Sequence, residues 1–376
     1  MLERHVTDFY TPDWLPDFVQ MLEPRLINRR SPNLPSSKIA STYLALFRDL
    51  YGRARNDDLI QRYFYVDRLL SLHAARIARR NDAHLFVYSG SGYWAFDALR
   101  DRKRVLFQYH PHPVSTRALL EADLDKHPEV RHSFEHEYDS LPLSKLPEEN
   151  IIEWSLATQI VCSSTFCKKS LELQGCPSNR IKVIPYGSDV SSDGNGQKSP
   201  RNLRCRFLFV GQGVQRKGLH HLLKAWRRAN LIDCDLTLVC YRIDPGILPL
   251  TSQPRVQIHS RMSYDKLRAT YRECDVFVMP SIIEGFGLVY LEAMAAGLYC
   301  IGTRNTGLPD LNPPADVARI IDSGELDMLV DALCTTAADW RRGYLRKSAS
   351  IEFASARDWR HVRTDFANFA EQILSY

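Results

Sequence analysis

The stretch from Asp275 to Thr303, DVFVMPSIIEGFGLVYLEAMAAGLYCIGT, decides the fold. It opens with the apolar run Val276 to Met279, stopped by Pro280-Ser281, which reads as a buried strand. A loop over 282–285 follows, and the pattern then predicts a helix from about Phe286 to Ala296. Gly297 suits the position just past a helix end, where the backbone turns to positive φ. Leu298 to Gly302 reads as the next strand. Strand, short loop, helix and strand make a βαβ crossover, the unit of a parallel α/β sheet.

Two carboxylates stand in this unit. Glu284 lies in the loop at the strand's C-terminal end, where open α/β sheets take their ligands. Glu292 lies eight residues later, on the second helical turn, roughly 8 Å along the axis at about 1.5 Å per residue. Gly285 and Gly287 let a ligand approach the backbone, and Phe286 to Leu288 open a helix whose first N–H groups and dipole attract an anion. One segment thus offers a carboxylate, a phosphate cradle and a second carboxylate one turn deeper. A diphosphate on the helix start would leave Glu292 to accept hydrogen bonds from a ribose. Taken singly, either glutamate is an ordinary solvated residue; the glycines, strand end and helix start argue for a site.

The run Glu284-Gly-Phe-Gly-Leu…Glu292-Ala-Met-Ala resembles the E-x7-E signature of family 4 retaining glycosyltransferases, the group 1 type. The resemblance implies an α/β chain of the GT-B fold, with two Rossmann-like domains facing a cleft. It implies transfer of a sugar from a nucleotide-diphosphate donor with retention of configuration and no essential metal or other cofactor. It assigns Glu284 to the donor sugar and Glu292 to the ribose. A second motif upstream supports it. Gly211-Gln-Gly213-Val-Gln-Arg216-Lys217-Gly218 is a glycine-rich turn between a strand over Arg206 to Val210 and an amphipathic helix to about Ala229. It matches neither the dinucleotide fingerprint nor the P-loop. It still sets two cations where they would stabilise a departing diphosphate. In the resembling family Lys217 is the phosphate-binding lysine, and Arg216 stands in for an arginine usually found at the position of Gln212.

The strand Arg104 to Tyr109 ends at His110-Pro111-His112-Pro113. The family places a histidine at this strand end beside the donor sugar, and His110 matches it; His112 touches the acceptor or is structural. A metal pair at His110 and His112 lacks a third ligand, so no metal site is expected. Asp123-Leu-Asp125 and Asp233-Cys-Asp235 mimic a metal-binding Asp-x-Asp and are read as chance, inside an acidic solvated helical layer over 121–149 and at a strand start respectively.

The remaining chain fits two domains: 1–190, a linker over 191–202 (SSDGNGQKSPRN), a nucleotide-sugar domain over 203–357 and a terminal helix over 358–376 that crosses back. Pro185-Tyr-Gly-Ser-Asp189 resembles the turn that ends the family's first domain. In the first domain, His5 to Tyr10 reads as a short strand and Lys38 to Leu50 as a helix. Leu59 to Arg80 reads as a helix with Phe64, Val66, Leu69, Leu70, His73 and Ile77 as its packing stripe, and His84 to Ser89 as a strand running into Ser89-Gly90-Ser91-Gly92. The family's first strand and its glycine-rich loop have no counterpart; the chain reads as entering at the second strand.

At 376 residues, 44% hydrophobic and 25% charged, the composition is that of a globular chain, and the net charge of +5 gives no case for nucleic acid. Residues 1–110 carry 17 Lys+Arg against 12 Asp+Glu, which favours a solvated surface over contact with anionic lipid. Nine scattered cysteines without CxxC or zinc spacing point to a reducing, cytoplasmic setting. No signal peptide or spanning run of about 18 apolar residues is evident, so membrane contact would be peripheral, at the inner face of the plasma membrane. The expected partners are a nucleotide sugar and a glycan or lipid-linked acceptor, in envelope or exopolysaccharide synthesis. The competing readings are a non-catalytic nucleotide- or glycan-binding relative that has lost the N-terminal loop, and a GT-B-like epimerase or phosphorylase.

Overall fold

The computed structural model describes residues 5–7, 39–41, 51, 55, 59–188 and 203–375. The linker over 191–202 lies outside the described residues, as does most of the expected helix over 38–50. By its contacts the chain divides into two units, residues 1–108 with 146–161 and residues 109–145 with 162–376.

In the first unit, β1 (His5–Thr7) pairs in parallel with β2 (Ile39–Ser41), so the start of the predicted 38–50 helix is a strand instead. Pairing across more than thirty residues of sequence overrides the local helical pattern there. Helix α1 (Leu59–Arg80) follows, then β3 (Leu85–Tyr88), α2 (Tyr93–Ala98) and β4 (Arg104–Gln108), parallel to β3. Helix α3 (Pro113–Lys126) and the short α4 (Arg131–His136) belong to the second unit. Helix α5 (Glu148–Leu156) and β5 (Gln159–Cys162) return to the first. The expected stripe of α1 is only half-buried. Its most buried line runs through Ser71, Ala75 and Ala78, where small side chains let α2 approach closely.

Glu153 of α5 is buried and accepts the N–H groups of Gly90 (2.6 Å) and Gly92 (2.9 Å), closing the Ser89–Gly92 turn from inside. Asp67 accepts from the Ser91 hydroxyl at 3.2 Å. Burial pushes the Glu153 carboxyl up to about 8 and the Asp67 carboxyl up to about 6. The folded state therefore holds protons that the unfolded chain releases above about 4.5, and stability falls as pH rises from there to about 8. Glu153→Gln keeps an acceptor and removes the proton. Its Tm is expected to decline less than the parent's between pH 5 and 9; parallel profiles would contradict this.

The second unit is built on a parallel six-stranded sheet. After α6 (Thr165–Glu172) and β6 (Ile181–Val183) come β7 (Cys205–Val210), α7 (Leu219–Ala229), β8 (Cys234–Val239), β9 (Val256–His259), α8 (Tyr264–Glu273), β10 (Val276–Met279), α9 (Leu288–Ala295), β11 (Tyr299–Thr303) and β12 (Ala318–Ile321). The sheet order is β12-β11-β10-β7-β8-β9, all neighbours parallel. All four residues of β10 are wholly buried, as are Phe207, Leu208 and Phe209 of β7. Each such side chain contributes roughly 1.5–3 kcal/mol of burial, which explains why unbroken apolar runs take the sheet centre. Gly297 takes φ +89° just past α9, as expected.

Three helices close the chain: α10 (Leu326–Arg342), α11 (Lys347–Ser355) and α12 (Trp359–Leu374), the last capped by the Asp358 carboxylate on the N–H groups of Arg360 and His361. Their junction meets the Pro185–Ser188 turn. Ser188 N–H donates to the Arg357 carbonyl (2.9 Å), Arg357 donates to the Pro185 carbonyl (2.6 Å), and a Cβ on Gly187 would stand 2.6 Å from the Asp358 backbone. No helix among the described residues is long and apolar enough to cross a membrane.

The acidic segment after residue 120 is not a solvated layer throughout. Leu120, Asp123, Val130 and Ser133 are buried, and Val130 joins the core of the six-stranded unit.

Candidate functional site

The sheet order reverses between β7 and β10, and a parallel sheet opens a crevice at such a switch point, outside the strand C-termini. The loop after β7 carries Arg216 and Lys217; the loop after β10 carries Glu284. The fold brings these loops together. Both the Ile282 and Ile283 N–H groups donate to the Arg216 carbonyl, at 2.9 and 3.3 Å. Lys217 Nζ makes an ion pair with Glu284, and Arg216 lies 3.6 Å from the same carboxylate oxygen. The three side chains are only 12–16% exposed.

The backbone explains how the cations are presented. Gln215–Lys217 form a single 3-10 turn, and Gly218 then turns left-handed, φ +69°, to start α7. A Cβ on Gly218 would sit 1.9 Å from the Pro280 carbonyl oxygen, so only glycine lets the two loops meet. The β10 loop is held as firmly. Glu284 N–H donates to the Asn305 carbonyl (3.0 Å), and the Ser164 hydroxyl donates to the Gly285 carbonyl (2.6 Å). A Cβ on Gly285 would lie 2.0 Å from the Tyr109 carbonyl oxygen and 3.4 Å from His110 Cα. His110 therefore does stand against the Glu284 loop. His112 is buried, accepts from Val114 N–H at the start of α3 and donates its backbone N–H to the Ser170 hydroxyl, so it caps that helix.

Burial alone would raise the Glu284 carboxyl. Lys217 and Arg216 outweigh that, with a smaller contribution from His110, and hold it below the usual glutamate range. The carboxylate is ionised and shared by two cations.

Helix α9 begins at Leu288, after Gly287 in the left-handed region at φ +88°. Tyr290 N–H donates to the Gly287 carbonyl at 3.0 Å; the N–H groups before it lie in the turn that lacks intrahelical acceptors, and with the helix dipole this makes an anion-attracting end. Leu288 is exposed, whereas Phe286 is buried, its ring 4.9 Å from that of Tyr186 and packed where Gly307 leaves room. Glu292 lies on the exposed side of α9 and accepts from the Tyr271 hydroxyl at 3.2 Å, which fixes its orientation. Gly211 and Gly213 shape the β7 loop. Their N–H groups are already engaged by the Val239 and Arg242 carbonyls, and a Cβ on Gly213 would collide with Leu219 and Ile243.

Sequence reasoning missed one constellation. Asp123 accepts from His221 at 2.7 Å and lies 3.2 Å from His220, with Gln215 Nε2 donating to it at 2.9 Å. Burial would raise Asp123, but the two histidines hold it far below the carboxylate range; burial presses His220 down to about 4. Asp233, the other Asp-x-Asp candidate, is held by Arg341 at the surface.

Residues 197–348 match the family model of the glycosyl transferases group 1. The uncharacterized glycosyltransferase YqgM of Bacillus subtilis is 28% identical over 216 residues, 55% of this chain and 58% of that protein. The GDP-mannose:cellobiosyl-diphosphopolyprenol alpha-mannosyltransferase of Xanthomonas oryzae is 28% identical over 195 residues, 49% of this chain and 50% of that one. The chain spans about half the length of most of the curated relatives it matches. Among solved structures, Anabaena HepE in complex with UDP superposes with a TM-score of 0.58 over 81% of this chain and 82% of that one, at 17% identity. Such likeness carries the fold alone, and the fold is the expected GT-B. The likeness to the group 1 glycosyl transferases thus covers residues 197–348, the part of the chain that carries the β7 and β10 loops.

Proposed function

We propose that this chain is a retaining glycosyltransferase, moving a sugar from a nucleoside-diphosphate-sugar to a glycan or lipid-linked acceptor in envelope or exopolysaccharide assembly, with no metal in the reaction step. The observation that carries this reading is the meeting of Lys217, Arg216 and Glu284 at the sheet's switch point. Two largely buried cations that converge on one carboxylate give the switch point a basic lining suited to a diphosphate. HepE binds UDP and the Xanthomonas relative uses GDP-mannose, so either base is a fair first donor.

In this reading the diphosphate lies over Lys217, Arg216 and the start of α9, and Glu292 takes the ribose hydroxyls. As the bond from sugar C1 to the diphosphate breaks, charge gathers on the leaving oxygen, and fixed cations and N–H groups stabilise it where it forms. Glu284 orients the donor sugar, and His110 lines the wall beside it. The acceptor oxygen bonds to C1 on the face the diphosphate leaves, and its proton passes to the departing diphosphate oxygen, which keeps the configuration at C1. A paired, ionised Glu284 is suited to accepting sugar hydroxyls and is not a proton donor, which distinguishes the arrangement from a glycosidase acid. Any membrane contact would be peripheral, at the cytoplasmic face.

The test incubates purified chain with UDP-, GDP- and ADP-sugars, EDTA and a crude polyprenyl-linked glycan acceptor. Acceptor-dependent release of one nucleoside diphosphate is expected, with the product anomer matching the donor. Conversion of donor without acceptor would replace this reading with an epimerase, and no release from any donor would overturn it.

A further inference from the structure

Asp123 and His127 stand four residues apart at the end of α3, so they share one face; His220 and His221 follow Gly218 on the first turn of α7. The four side chains each offer one ligand atom, and these atoms all lie within 4.8 Å of one another. Asp123, His220 and His221 are 8%, 0% and 3% exposed. We propose that these four residues bind one divalent transition-metal ion, zinc by the chemistry of the set, in a structural site that braces the Gln215–Lys217 turn.

Unmet polar groups are the second observation. His220 Nδ1, His221 Nδ1 and Gln215 Oε1 are buried without a hydrogen-bond partner, in side chains whose Nε2 atoms face the Asp123 carboxylate. Buried polar atoms are rarely left so, and an ion is among the usual reasons when they are. Three imidazoles and a carboxylate suit zinc and its neighbours in the first transition row, whereas calcium and magnesium prefer all-oxygen sets. Four protein ligands leave no open position, which marks a structural site. Bonds of about 2.0–2.2 Å place tetrahedral ligands roughly 3.4 Å apart, so the cluster would close by about 1 Å around the ion.

The surroundings fit. Gln215 Nε2 donates to Asp123 Oδ2 (2.9 Å) and to the Leu120 carbonyl (2.8 Å), which orients the carboxylate. Lys224 Nζ lies 2.7 Å from His127 Nδ1 and also pairs with Glu129, so it keeps a partner when His127 turns to the ion. Gln215 joins the cluster directly to Arg216 and Lys217. An ion here would hold the ends of α3 and α7 together and stiffen the turn that presents the two cations. The site stands whether or not the proposed transfer reaction does, because its readout is metal binding.

The experiment titrates the EDTA-treated full chain with Co2+ and then with Zn2+. One equivalent of Co2+ is expected to give the visible bands of a four-coordinate ion with nitrogen and oxygen ligands, lost on adding Zn2+, and Zn2+ should raise Tm by a few degrees. The double variant His220→Ala/His221→Ala should lose both responses, and His110→Ala should keep them. Should the double variant fail to fold, His127→Gln at the cluster's more exposed edge decides, with metal affinity expected to drop about 10–100-fold. Absence of bands and of any Tm shift in folded parent chain would overturn the proposal. So would unchanged binding in His127→Gln, or sulfur-to-cobalt charge-transfer bands that place the ion on a cysteine.

Discussion

Glu284→Gln is expected to lower sugar transfer about a thousandfold while binding nucleoside diphosphate as tightly as the parent chain, or more tightly. The two halves of this expectation have one cause. The Glu284 carboxylate lies against Lys217 and Arg216 and offsets one of their two charges, all three side chains being largely buried. A diphosphate and this carboxylate then compete for the same cations, so removing the carboxylate's charge frees them for the phosphates. The amide cannot accept sugar hydroxyls as a carboxylate does, and the positioning of C1 is lost. Without ligand the variant should also melt lower, because a buried pair broken on one side leaves uncompensated charge, a loss of up to about 3–5 kcal/mol. Nucleoside diphosphate should restore most of it. The measurements are kcat, KM, the calorimetric Kd for the diphosphate, and Tm with and without it. Parent-like turnover would remove Glu284 from the site, and weaker diphosphate binding would show that the carboxylate organises the cations instead of competing for them.

Gly218→Ala should damage folding and donor binding together. Its φ of +69° is unfavourable for alanine, and the added Cβ would lie 1.9 Å from the Pro280 carbonyl oxygen. Neither partner is a flexible side-chain end; both are backbone, and both belong to the loops that carry the site. Strain of this kind costs about 1–3 kcal/mol, and the displacement forced at Pro280 adds about 1–3 kcal/mol more. Relief requires the Lys217 turn and the Glu284 loop to separate. The expected result is a lower Tm and loss of any nucleotide-induced stabilisation in whatever fraction folds. Gly343→Ala is the control, since its φ is also positive, at +77°, but its added Cβ meets nothing within 4 Å. Equal damage at both positions would mean that backbone strain alone, and not contact with Pro280, accounts for the loss.

The βαβ unit over 275–303 was readable because its signals are local. An unbroken apolar run, a proline stop, two glycines and a helix-length pattern lie within one short stretch, and the observed β10, α9 and β11 follow it closely. The pairing of Lys217 with Glu284 is a different matter. The residues are 67 apart, and their contact depends on β7 lying beside β10, which no local pattern states. Only the family resemblance placed them in one site. Where pattern and tertiary pairing disagreed, pairing won: Ile39–Ser41 took the β1 edge although the surrounding residues read as helical. Asp123 was misjudged for a similar reason. Acidic composition over 121–149 suggested solvent, yet the segment packs on the β7–β10 unit and turns Asp123 inward to His220 and His221. The available signal was the four-residue spacing of Asp123 and His127 together with an adjacent histidine pair at a helix start.

The central claim is that Lys217, Arg216 and the start of α9 form a diphosphate site. Its most direct test is thermal denaturation of the full chain with UDP, GDP and ADP in EDTA, beside Lys217→Ala and Glu292→Ala. A ligand that binds only the folded state stabilises it by about 2.7 kcal/mol at a hundred times its Kd. The account predicts a Tm rise with one nucleotide, abolished by Lys217→Ala and reduced by Glu292→Ala. A folded parent chain whose Tm responds to none of the three, or a response that survives Lys217→Ala intact, would contradict it.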